Sequence, residues 1–143
     1  MDRFSRQRTI VMKLLVFALV ASCASVVPAS GQSIDGCDTL SRCQAAVEVH
    51  PRDSLAHYRL GEIFSGSENW QLAANEFRDA LSGDRDPKWT EVWSHINLGK
   101  IFDSTRQRDR ALNEYRWAER LGDNTRGAQD EAAKYIESPF TRL

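Results

Sequence analysis

The sequence predicts an all-α fold, a short solenoid of helix-turn-helix units, and three observations carry that expectation. His57-Tyr58-Arg59-Leu60-Gly61-Glu62-Ile63-Phe64 returns further along the chain as His95-Ile96-Asn97-Leu98-Gly99-Lys100-Ile101-Phe102. The repetition continues at the same offset in spaced apolar positions, with Ala73, Phe77 and Ala80 returning as Ala111, Tyr115 and Ala118. Within each copy these residues recur three and four apart, the spacing of one helix face. Self-similarity of this kind marks stacked two-helix units that bury a core only against their neighbours. About five helices are expected after residue 36.

Residues 1–31 read as a secretory signal peptide. Arg3, Arg6, Arg8 and Lys13 precede the apolar run Leu14 to Ala21, and small residues follow from Ala24 to Gly31. Met12-Lys13-Leu14-Leu15-Val16-Phe17 also forms a complete signal start, which makes Met12 an alternative initiator. The run falls short of the roughly 20 apolar residues that a membrane span needs. Two cleavage patterns compete. Ala29-Ser30-Gly31 before Gln32 has small residues where a signal peptidase reads, whereas Val20-Ala21-Ser22-Cys23 resembles a bacterial lipobox ending in a lipidated Cys23. Both routes export the chain, to the periplasm or beyond, and only lipidation at Cys23 ties it to a membrane.

The remaining residues, 32–143, are one domain by length. The first expected element, residues 37–50, reads as the second helix of an incomplete unit, because Cys43, Ala46 and Pro51 precede Phe77, Ala80 and Arg85 at one common offset. Cys37 and Cys43 survive cleavage into an oxidising compartment. Six residues along one continuous helix separate the pair by about 9 Å of axis, beyond bridging distance. If Cys37 precedes the helix, a bridge closes; otherwise Cys43 is a plain buried residue. Their spacing matches no common zinc pattern.

Two full units follow, 54–85 and 87–122. Each accepts a glycine inside a helix, Gly61 and Gly99, at about 1 kcal/mol relative to alanine, and close crossing of the paired helices accounts for it. Ala73 and Ala111 are the expected small partners. Between the units, Gly83 is expected to end a helix, Asp86 to cap the next and Pro87 to open it. The residues in excess of the usual two-helix period then add one turn, and that turn bears Trp89. After the second unit, Asn124 or Thr125 is expected to cap a final helix, 124–137. Its face of Arg126, Gln129, Asp130, Glu131 and Lys134 suits the polar end of a solenoid, and Pro139 stops it.

The order Leu60-Gly61, Phe64, Ala73, Phe77, Ala80, repeated as Leu98-Gly99, Phe102, Ala111, Tyr115, Ala118, resembles the tetratricopeptide repeat. In the first copy the terminal proline arrives late, as Pro87; in the second Asp123 stands in its place. The resemblance implies a binding scaffold whose first helices line a concave groove. Carried onto this chain, the groove positions are Leu55, Tyr58 and Glu62, then Trp93, Ile96 and Lys100, with Trp89 extending the face by one turn. Trp89, Trp93, Ile96 and Lys100 follow i, i+4, i+7 and i+11 along one side of a helix. Tryptophans in such a place anchor interfaces or pack on neighbouring helices.

Charge and motifs narrow the function further. Taking Arg3, Arg6, Arg8 and Lys13 from 19 basic residues and Asp2 from 20 acidic ones leaves a net charge of about −4, which offers nucleic acid no electrostatic attraction. His57 and His95 occupy equivalent repeat positions, a structural rather than catalytic pattern. The sequence holds no phosphate loop, nucleophile elbow or paired-histidine metal motif. No enzymatic activity, cofactor or metal is expected. The expected partner is a protein or peptide, with self-association through the incomplete first unit as the alternative.

Overall fold

The computed structural model describes residues 37–142. The expected signal peptide, the alternative start at Met12 and the expected lipidation at Cys23 lie outside the described residues. Within them the chain is helical throughout, with no strand. α1 is Leu40–Val49, α2 Ser54–Gly66, α3 Trp70–Ser82, α4 Trp89–Ser104, α5 Arg108–Leu121 and α6 Ala128–Glu137, with a 3-10 turn at Thr125–Gly127 before α6. The count is six rather than about five: the incomplete unit, both pairs and the final segment all form helices.

The copies match in detail as well as in outline. α2 and α3 pack closely, as do α4 and α5, and both turns are built alike. The chain reverses through left-handed Glu68 (φ 60°) and Arg106 (φ 61°), which are related by the same repeat offset. Asn69 N–H donates to the Phe64 carbonyl (2.9 Å) and Gln107 N–H to that of Phe102 (2.7 Å). The hydroxyls of Ser67 and Thr105 bond the carbonyls three and four residues back. At the crossing, a Cβ on Gly61 would meet the Phe77 ring at 2.7 Å, and one on Gly99 would lie 2.6 Å from Tyr115 Cζ. Because both rings are fully buried, only glycine lets the paired helices approach this closely.

The link between the pairs differs from expectation in its cap. α4 starts at Trp89, three residues before the position equivalent to Ser54, so about one turn is added and Trp89 lies on it. Lys88 is the residue before the helix and caps it with no side chain, while Asp86 and Pro87 stand outside. Pro87 contributes its carbonyl, which accepts from both the amide and the hydroxyl of Thr90 (2.9 Å each). Gly83 does end α3, but with extended φ −75° rather than a left-handed turn. Its glycine is required by space, since a Cβ would lie 2.6 Å from the Arg52 carbonyl and press on Ser54 Oγ. That contact seals the end of α3 against the start of α2. Ser54 Oγ donates to the Ala80 carbonyl (2.7 Å), and Asp84 Oδ1 accepts from the amides of Ser54 (3.2 Å) and Asp86 (3.0 Å). Slight burial pushes the Asp84 carboxyl up, but these bonds outweigh it and hold it below the usual carboxylate range.

The ends follow from the same local chemistry. Cys37 precedes α1 and bridges Cys43, with the Cα atoms 5.0 Å apart. The pair packs on Leu60 beside Val47 and Ile63. At the other end the 3-10 turn delays α6 to Ala128, and Asn124 Oδ1 still accepts from a first-turn amide, that of Gln129 (2.9 Å). The main core runs from Phe77 through Val92, Ile96 and Leu98 to Tyr115, Ala132 and Tyr135.

Candidate functional site

The helix faces expected to line a groove are more occupied than sequence spacing suggests. Tyr58 is buried, edge-on to Trp89 at 5.1 Å and to Phe77 at 5.6 Å. Its hydroxyl accepts from Asn97 Nδ2 (3.2 Å). Burial pushes that hydroxyl's ionisation up, and Glu62 adds to the effect. Ile96 is fully buried in the core. Neither residue faces a partner, because the added turn of α4 folds Trp89 over Tyr58 and the core closes around Ile96. Leu55 is half-buried, and exposed Glu62 pairs with Arg59 of its own helix at 2.7 Å.

Trp89, Trp93 and Lys100 meet the C-terminal part of the chain. The Arg126 guanidinium lies 4.2 Å over the Trp89 ring, and Trp93 Nε1–H donates to the Thr125 carbonyl (3.0 Å). Lys100 Nζ bonds Glu131 (2.7 Å) and stands 5.2 to 5.6 Å from the rings of Trp93, Tyr135 and Phe140. Partial burial raises the Glu131 carboxyl, yet the Lys100 ammonium more than offsets this and keeps it below the usual glutamate range.

Beyond α6 the chain turns back along the bundle. Asp103, whose side chain is 1% exposed, accepts from the Phe140 amide (2.8 Å), the Tyr115 hydroxyl (3.0 Å) and Arg108 (3.0 Å). Arg108 also donates to the Ile136 carbonyl (2.8 Å). Arg142 then reaches the Ser65 carbonyl (3.2 Å) at the end of α2. In the first pair the positions equivalent to Asp103, Arg108 and Tyr115 are Ser65, Trp70 and Phe77. This polar clamp on the tail therefore belongs to the second pair alone.

Between the end of α2, the later half of α4 and the returning tail lies a cleft of about 210 Å³. Trp70, Phe140 and Ile101 supply apolar lining, Lys100 and Arg142 the cations, and Asn97, Ser65 and Ser104 the polar groups. The Ser65 hydroxyl is buried and has no hydrogen-bond partner among the described residues. Of the seven residues expected in the groove, Lys100 alone lines this cleft. Trp70, Phe140 and Arg142 were not among them, because nothing periodic marks a turn-entry tryptophan or a tail beyond a helix stop. The usable signal was Phe140 itself, an aromatic residue just after Pro139.

A second polar cluster joins α2 to α3. His57 Nδ1 lies 2.8 Å from Glu76 Oε2, and His57 Nε2 lies 3.2 Å from the Pro51 carbonyl. His95 Nδ1 makes the equivalent contact with Glu114 (2.7 Å). Spacing did not reveal these partners, although Glu76 and Glu114 stand at the same repeat offset as the histidines.

Comparison of the chain with protein-family models, with curated proteins and with solved structures finds no match. No helix among the described residues is long and apolar enough to cross a membrane.

Proposed function

We propose that this chain is a non-enzymatic scaffold of the tetratricopeptide-repeat kind, exported to the bacterial cell envelope, that binds a segment of another protein in the cleft between α2, α4 and the tail. The observation that carries the reading is the composition of that cleft. Aromatic walls at Trp70 and Phe140 give apolar contact area, Lys100 and Arg142 favour an acidic or carboxylate-bearing segment, and the Asn97 amide adds a polar group. Support for the repeat reading comes from the duplicated crossings, Gly61 with Phe77 and Gly99 with Tyr115. Export rests on the residues before Gln32.

The test is capture of envelope proteins and of a displayed peptide library on the immobilised chain, repeated with Trp70→Ala and Asn97→Ala. Both substitutions are expected to weaken retention of whatever binds. Arg116→Ala, on the exposed face of α5, is expected to leave it unchanged. A captured partner indifferent to both cleft substitutions would remove the cleft from the proposal.

A second reading makes the chain a self-associating subunit. It rests on α1, where Leu40 is 40% and Val49 70% exposed. Light scattering across a concentration series separates the two readings, since only this one requires a dimer or larger species without a partner.

A further inference from the structure

We infer that His57, Glu76 and Asp79 form a binding site for a divalent metal ion of the zinc class, at the junction of α2 and α3. One ligand atom from each lies within 4.8 Å of the others, the one such trio of histidine, cysteine and carboxylate groups among the described residues. His57 is buried, Glu76 half-buried and Asp79 exposed, so the cluster opens to solvent on the aspartate side. Zinc bonds imidazole nitrogen and carboxylate oxygen at about 2.0 to 2.2 Å. Closing the trio to that size needs the side chains to move inward, and Asp79 is the exposed member.

The surroundings of the histidine orient it for such a role. Its two ring nitrogens both face oxygen acceptors, Glu76 at 2.8 Å and the Pro51 carbonyl at 3.2 Å. A ring with one hydrogen satisfies only one of these contacts. With Nε2–H donating to Pro51, Nδ1 keeps a lone pair on the side of Glu76, and an ion bonded to both requires their 2.8 Å contact to open by about half an ångström. A backbone carbonyl on the far nitrogen is also the usual device that orients a ligating histidine and selects its tautomer. Neutral imidazole and two carboxylates balance a dication, and nitrogen-oxygen donor sets of this kind suit zinc among the common ions.

The second pair supplies an internal contrast. His95 and Glu114 repeat the histidine-glutamate contact, but Trp117 occupies the position of Asp79 and stacks on the His95 ring at 6.1 Å. The third donor is thus present in the first pair and absent from the second. Sequence spacing hid the site because its ligands come from two different helices and stand far apart along the chain.

An ion bonded at Nδ1 leaves Nε2–H to donate to the Pro51 carbonyl. The test is calorimetric titration of the purified, untagged chain with zinc chloride, alongside cobalt chloride absorption. One ion per chain is expected. Asp79→Asn and Glu76→Gln, each checked for helical content, are expected to lower affinity by about tenfold or more. Absence of binding, or binding that survives both substitutions, would overturn the assignment.

Discussion

Gly99 lies beneath the ring of Tyr115, and the Tyr115 hydroxyl is held 3.0 Å from Asp103, so the ring cannot swing away from the glycine. Gly61 has the same relation to Phe77, but that ring carries no hydroxyl and no such tether. The two crossings are alike in packing and unlike in their freedom to relax.

Replacing the glycines should expose that difference. Alanine regains about 1 kcal/mol of helix propensity, but its Cβ must displace a buried ring, and overpacking of this kind costs about 1 to 3 kcal/mol. Gly99→Ala is expected to destabilise more than Gly61→Ala, and Tyr115→Phe should recover part of the Gly99→Ala loss by freeing the ring. Urea melts of the wild type and these variants measure both effects. Equal losses at the two glycines would show that the hydroxyl tether is irrelevant.

Asp103 should act on the tail as well as on the bundle. Its carboxylate serves Tyr115, Arg108 and the Phe140 amide at once, and burial together with its negative charge pushes the Tyr115 hydroxyl's ionisation up. Asp103→Ala is expected to cost about 2 to 3 kcal/mol through lost bonds to charged groups. Hydrogen exchange should also accelerate at Phe140 and beyond, out of proportion to the rest of the chain. A uniform change would mean that the tail is held by other contacts.

The paired helices were legible because the contacts at their crossings and turns repeat. The ends of α2 and α4, Gly66 and Ser104, fall at the same offset as the glycines and aromatics inside them. The cleft was not legible, for two reasons. Tyr58 and Ile96 occupy positions that face a groove in the resembling family, but here Trp89 and the core enclose them. Phe140 and Arg142 lie past Pro139, where no helical period constrains a reading, and only tertiary contact with Asp103 and α2 returns them to the fold. Asp86 illustrates a smaller limit: aspartate before proline carries the signature of a cap, yet the helix starts at Trp89, beyond its reach.

Acid should loosen the contact between α4 and α6. Glu131 titrates below the ordinary glutamate value of 4.5 because Lys100 stabilises its charge. A depressed carboxylate contributes stability above its unfolded value and loses it as pH falls through the folded one. The wild-type chain is therefore expected to lose stability as pH drops below about 4.5. Lys100→Gln should flatten that part of the profile, although other carboxylates will keep some slope. Thermal melts of both proteins from neutral to acid pH provide the comparison, and parallel curves would show that the pair contributes nothing.

Trp93 separates the scaffold reading from simple packing. Its ring is half-buried and its Nε1–H holds the Thr125 carbonyl, so part of its role is to seat the turn before α6. Trp93→Phe removes that hydrogen bond and is expected to cost about 1 kcal/mol of stability. Trp93→Ala also removes the ring 5.6 Å from the Lys100 ammonium, and for an interface anchor it should weaken a captured partner by about 2 kcal/mol or more. A tryptophan that serves only the core would instead lose about 3 to 5 kcal/mol of stability on truncation. Circular dichroism melts beside binding isotherms distinguish these outcomes. If Trp93→Ala binds as well as the wild type, or unfolds before binding can be measured while Trp93→Phe binds normally, the Trp93 ring plays no part in recognition.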